Sequence, residues 1–100
     1  MSDQQAAFES REGGVLAMSG PLTFASVAAA WREGKARILA ARPTVLDLAA
    51  VQRADSAGLA CVLALLACGR ELQPQLAIRN APDSLRDLAR VSDAEKWLLP

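Results

Sequence analysis

One stretch constrains the fold more than any other. Residues 45–60, Val-Leu-Asp-Leu-Ala-Ala-Val-Gln-Arg-Ala-Asp-Ser-Ala-Gly-Leu-Ala, run from an apolar strand broken by Asp47, through a short link, into a helix that stays apolar nearly all round to Gly69. Val45, Leu46 and Leu48 leave the strand no wet face, which places it inside a sheet. At about 13 residues, Ala57–Gly69 is too short for a bilayer core ~30 Å thick, so direct membrane insertion is not expected and protein must cover the helix. A chain of 100 residues makes one small domain, and such a domain rarely surrounds a helix completely. Some of Ala57, Ala60, Cys61, Ala64, Ala67 and Cys68 are therefore expected at the surface, as a flat strip that another backbone can approach closely. A partner interface is the favoured reading of that strip, with core packing and self-association as the alternatives.

The rest of the chain supplies a framework around this unit. Residues 1–6 read as a loose N-terminus and 7–100 as the domain. Gly13-Gly14 predicts a turn between strands Ala7–Arg11 and Val15–Ser19, and Gly20-Pro21 is expected to stop the second strand. Thr23 reads as the N-cap of a helix running to about Leu39, with Phe24, Val27, Trp31 and Ile38 on its buried face. Thr44–Leu48 is the central strand, with Asp47 a structural residue at its end. A helix over about Ser56–Leu72, a turn at Gln73-Pro74 and a strand Gln75–Arg79 follow. Pro82 suits the first turn of a third helix, and a last turn near Ala94–Leu98 carries Trp97, expected to pack on its own chain. The order β-β-α-β-α-β-α predicts an α/β fold: a small mixed sheet with helices packed on one face.

Composition removes several kinds of chemistry. Eleven basic and eleven acidic residues cancel, so nothing in the global charge invites nucleic acid or an anionic membrane. The N-terminal residues lack the basic segment and apolar run of a secretory signal, which points to the cytoplasm. Cys61 and Cys68 lie ~10 Å apart along one helix, too far to bridge, and are read as reduced thiols. With no histidine in the chain and no Cys-x-x-Cys pair, a zinc site is not expected. Phosphate-binding and dinucleotide-binding glycine motifs are missing from the sequence, so no cofactor is expected. Asp47 and Asp55 offer a carboxylate pair or a cation site in principle, but no enzymatic role is expected of them.

What remains is the helix start. Ser56 has no histidine to serve as its base and no lysine near it in sequence, so it does not read as a catalytic nucleophile. Asp55 or Ser56 can cap the helix by accepting an orphan amide hydrogen bond. The same turn offers a hydroxyl and the positive helix end to a partner. Phosphorylation of Ser56 would add ~1.5 to 2 negative charges and break a fitted apolar contact without unfolding the domain.

These residues resemble a STAS domain, the family that includes anti-sigma-factor antagonists and cytoplasmic domains of some anion transporters. The resemblance rests on Ser19-Gly20, on Val45-Leu46-Asp47-Leu48 and above all on Asp55-Ser56-Ala57-Gly58-Leu59, and covers residues 7–99. Within the family the chain is most similar to the small STAS subunits of the phospholipid transporter that maintains outer-membrane lipid asymmetry. Trp31 matches a tryptophan of that group, and Leu46–Ala89 aligns with it without gaps. The resemblance implies a non-enzymatic cytoplasmic subunit, peripheral to the inner membrane, that binds the ATPase subunit of an ATP-binding-cassette transporter and supports its assembly or activity. Ser56 then falls at the hydroxyl position used for partner contact, with Asp55, Ala57, Gly58, Ala60, Cys61 and Ala64 forming the surrounding surface. The alternative is an anti-sigma-factor antagonist phosphorylated at Ser56. Against that alternative, Pro21-Leu22-Thr23 stands where the family commonly has Glu-Leu-Asp, which removes two acidic groups near the switch site.

Overall fold

The computed structural model describes residues 5–98. Strand β1 (Ala7–Arg11) and strand β2 (Val15–Leu22) form an antiparallel hairpin. Its turn needs Gly13 and Gly14 at φ 82° and 76°, a region costly for residues with a Cβ. Helix α1 (Val27–Ala41) leads to strand β3 (Val45–Ala54), and helix α2 (Ser56–Arg70) leads to strand β4 (Ala77–Arg79). Helix α3 (Asp83–Val91) and a 3₁₀ turn (Glu95–Leu98) complete the described chain. The sheet order is β1-β2-β3-β4, with β2, β3 and β4 mutually parallel. This is the expected element order in a single four-stranded mixed sheet.

The core lies on one side of that sheet. Cross-strand register aligns Leu16, Leu46 and Ile78 in one row and sets Phe8 opposite Met18. All five side chains are buried. The helices cover them through Ala30, Gly34 and Ile38 of α1 and Leu59, Val62, Leu65 and Leu66 of α2. On the opposite face, Glu9, Ala17, Asp47 and Arg79 form a row that no helix covers.

Several boundaries differ from the sequence reading. Strand β2 continues through Gly20-Pro21 to Leu22, because the register with β3 shifts at that point and a bulge tolerates proline's missing N–H. β3 likewise runs on to Ala54, so Asp47 sits inside a strand and not at its end. Residues read as a loop after Leu48 are strand residues. Two extra residues of β3 are absorbed between Ala17/Ser19 and Gly20/Pro21 of β2, and the first of these shifts brings Val51 back to the buried face.

Helix α1 starts at Val27, with Ser26 and not Thr23 at the N-cap position. The Ser26 hydroxyl, buried, donates to the Pro21 carbonyl at 2.9 Å and accepts the Thr23 N–H at 3.0 Å. Those bonds fold Thr23–Ser26 into a turn and use up the first residues of the expected helix. Of the N-terminal residues expected to be loose, Ala6 packs against the core, and residues 1–4 lie outside the described residues. Leu98 is buried, whereas Trp97 is 47% exposed.

One glycine sets how closely α2 sits on the sheet. A Cβ on Gly58 would run into the backbone carbonyl of Leu22, an obstacle that cannot rotate away. Gly58→Ala is therefore expected to lose about 1–3 kcal/mol in urea unfolding, even though alanine favours a helix interior by ~1 kcal/mol. Equal or greater stability would show that the helix has room to rise.

Candidate functional site

Asp55 organises the junction of β2, β3 and α2. Its backbone is extended, at φ −111° and ψ −171°, and its side chain is the N-cap of α2. One carboxylate oxygen accepts the Gly58 N–H at 3.0 Å, and the other accepts the Phe24 N–H at 3.0 Å from the turn before α1. The Asp55 N–H donates to the Leu22 carbonyl at 3.2 Å. One residue thus ties together the end of β2, the turn after it and the start of α2. Hydrogen bonds from the Phe24 and Gly58 amides hold its carboxyl below the ordinary 3.8, because they favour the charged form.

This settles which side chain caps the helix. Asp55 does so, and the Ser56 side chain, exposed on the first turn, makes no hydrogen bond among the described residues. Its hydroxyl stands at the positive end of α2, where first-turn amides favour an acceptor or an anion.

Beside Ser56 runs an open trough of ≈ 570 Å³ between α1 and α2. Ala57, Ala60, Cys61 and Ala64 form the α2 wall, and Phe24, Val27, Ala28 and Trp31 the other. Ala60 and Ala64 are exposed and Ala57 is half-buried. Phe24 is 84% exposed, unusual for a large aromatic ring. The Lys35 ammonium lies 5.6 Å from the Trp31 ring centroid at the far end.

The remaining predicted residues lie elsewhere. Gly58 is buried against Leu22 and offers no surface. Cys61 is the buried floor of the trough, and burial pushes its thiol upward, which leaves it a packing group. Asp47 lies on the uncovered face of the sheet, accepting the Ala49 N–H at 3.0 Å and the Asn80 amide at 3.1 Å. Desolvation raises its pKa, but those bonds together with Arg79 and Arg11 outweigh it, so the net shift is downward. Asp47 and Asp55 therefore form no pair, and the described residues contain no group of three or more metal-ligating side chains.

Of the residues expected on the buried face of α1, Val27 and Trp31 do pack partly against the core, but they also line the trough, and Phe24 lies before the helix and is exposed. The inner stripe is Ala30, Gly34 and Ile38, at spacing i, i+4, i+8. Gly34 lies so close to Leu65 and Phe8 that a Cβ there would come within 2.9 Å and 3.0 Å of their carbons. Small residues at this spacing were the available signal: they mark where α1 approaches its neighbours, and they rotate the aromatic groups to the flank.

Comparison with known proteins agrees with this geometry. The family described as "Mlab, STAS domain" matches residues 6–100. Among solved structures, the anti-sigma factor antagonist SpoIIAA in its unphosphorylated form superposes with a TM-score of 0.66 at 18% identity, covering 94% of this chain and 85% of that one. The Bacillus cell fate determinant SpoIIAA in the phosphorylated form gives 0.61 at 18% identity, covering 94% and 88%. At these identities the likeness is one of fold. No curated protein matches the chain in sequence.

The Asp55 bridge has a direct consequence. Asp55→Ala is expected to lower the melting temperature by several degrees and Asp55→Asn by less, because asparagine remains a good cap. A depressed folded-state pKa gives stability that is complete above 3.8 and lost as pH falls through the folded value. Between pH 6 and about 3, the melting temperature of Asp55→Ala should therefore decline less steeply than that of the wild type. Parallel curves would show that the bridge contributes nothing.

Proposed function

The chain belongs to the STAS domain family, and on that premise we propose that it is a non-enzymatic docking subunit that binds the ATPase subunit of an ATP-binding-cassette phospholipid transporter and supports its assembly or activity. The observation that carries this reading is the uncommitted Ser56 hydroxyl at the head of an apolar trough. A partner that lays apolar side chains along Ala57, Ala60 and Ala64, against Trp31, removes that surface from water at roughly 25 cal/mol per Å². A polar group on the same partner pairs with Ser56, which fixes the register of the contact. The family description, which carries the Mlab name, supports a transporter partner over other partners.

Zero net charge gives no support to nucleic acid as the partner. No described helix is long and apolar enough to cross a membrane. In this reading the chain is cytoplasmic and reaches the inner membrane only through the complex. The ATPase subunit hydrolyses the nucleotide, and this chain presents a preformed surface.

A second reading, an anti-sigma-factor antagonist regulated at Ser56, is favoured by one observation. The hydroxyl is accessible, and a protein of the same fold has been captured both with and without its phosphate. Pro21-Leu22-Thr23 weighs against it, since Pro21 and Leu22 are buried beside the site and supply none of the acidic charge common there in the family.

The test uses the purified chain and the ATP-binding-cassette ATPase subunit of the same organism. Ser56→Glu places a negative charge in the contact and is expected to weaken binding at least about tenfold. Its melting temperature should stay within a few degrees of wild type, since Asp55 keeps the cap. Unchanged binding by Ser56→Glu would overturn the docking site. Affinity capture that returns a kinase with a sigma factor, in place of an ATPase with a permease, would favour the second reading.

A further inference from the structure

The outer ridge of α2 separates two concavities, the trough and a smaller pocket. Ser56, Ala60, Ala64 and Ala67 lie along that ridge at spacing 4, 4 and 3, and all four are exposed. From Ser56 to Gly69 the helix carries no charge. On the far side of the ridge from the trough, Leu63, Leu66, Ala67, Arg70 and Trp97 line a pocket of ≈ 210 Å³ between α2 and the 3₁₀ turn. Trp97 forms its outer wall, and the Lys96 ammonium lies 5.6 Å from the Trp97 ring centroid. Arg70 donates one N–H to the Leu76 carbonyl at 2.9 Å. Among the described residues neither Arg70 nor Lys96 forms an ion pair.

The geometry points to this pocket as a second anchor point for the same partner, an inference that rests on the docking reading above. The occupant is an aliphatic or aromatic side chain of the ATPase subunit, with a carboxylate beside it. Two features select that chemistry. The pocket adjoins the trough across a ridge of small side chains, so one partner surface can span both depressions without climbing over bulky groups. Arg70 lines the pocket and Lys96 stands over Trp97, neither ion-paired among the described residues, and an acidic residue of the partner complements that charge. A side chain of the partner seated between Leu63, Leu66 and Trp97 would be shielded from water, the arrangement in which interface residues contribute most.

The experiment titrates the purified ATPase subunit with wild-type chain, Ser56→Glu, Trp97→Ala and Lys96→Glu, at low and at moderate salt. Trp97→Ala is expected to weaken binding about tenfold. Lys96→Glu is expected to weaken it several-fold with a smaller salt dependence, and Lys96→Arg to restore it. Lys96 is exposed, so its variants report on binding even where Trp97→Ala disturbs folding. If Ser56→Glu loses affinity while both Trp97→Ala and Lys96→Glu bind as wild type does, the docking reading stands and the second anchor is overturned. If the wild-type chain does not bind the ATPase subunit, both fall together. If Trp97→Ala halves the solution mass of the free chain, the pocket's occupant is a second copy, which also overturns the proposal.

Discussion

The Asp55 carboxylate is the interaction on which the candidate site depends. It spends one oxygen on the Gly58 amide and the other on the Phe24 amide, so the cap of α2 is also the clamp on the turn before α1. A cap that bonded only within its own helix would leave that turn, folded by Ser26, without this tie to α2. The consequence for Ser56 is indirect. With the orphan amide already satisfied, its hydroxyl makes no hydrogen bond among the described residues and stands available at a helix end of fixed orientation.

The second constraint is steric. Gly58 lets α2 approach the Leu22 backbone, and Ala30, Gly34 and Ile38 set α1 close beside α2. Because both helices sit low, the side chains on their outer flanks stay short of one another and a trough remains between them. Alanines along α2 keep the trough open, and Phe24 and Trp31 deepen its other wall. The apolar character that the core requires thus continues onto the surface, where a small domain has no further protein to cover it.

Much of this was legible in the amino-acid order. Asp-Ser-Ala-Gly after an apolar strand specified the helix start, and the element sequence specified a mixed sheet with its helices on one side. Proline and glycine misled at β2, where Gly20-Pro21 reads as a stop but lies in a strand whose partner absorbs the irregularity. Bulges depend on two strands at once, and no local pattern announces them. Thr23 read as a cap for a similar reason: the rival cap position, Ser26, is fixed by bonds to Pro21 and Thr23 that exist only once the turn has formed. The trough-lining role of the α1 flank stayed hidden because periodicity gives a face but not its direction: Trp31 packs partly against the core and also lines the trough, since Gly34 takes the innermost position against Leu65. Gly58 reads as surface because its neighbours Ala57 and Ala60 are there, but a glycine between them marks close approach and not exposure.

In the proposed complex a partner covers the start of α2 and the flank of α1. Hydrogen–deuterium exchange of the chain alone and bound to the ATPase subunit measures this most directly. Slowed exchange is expected over residues 24–31 and 56–64, with β1 and the strand segment around Asp47 unchanged. Slowed exchange confined to the uncovered face of the sheet, around Arg11, Asp47 and Arg79, with no change at the start of α2, would contradict that placement of the partner.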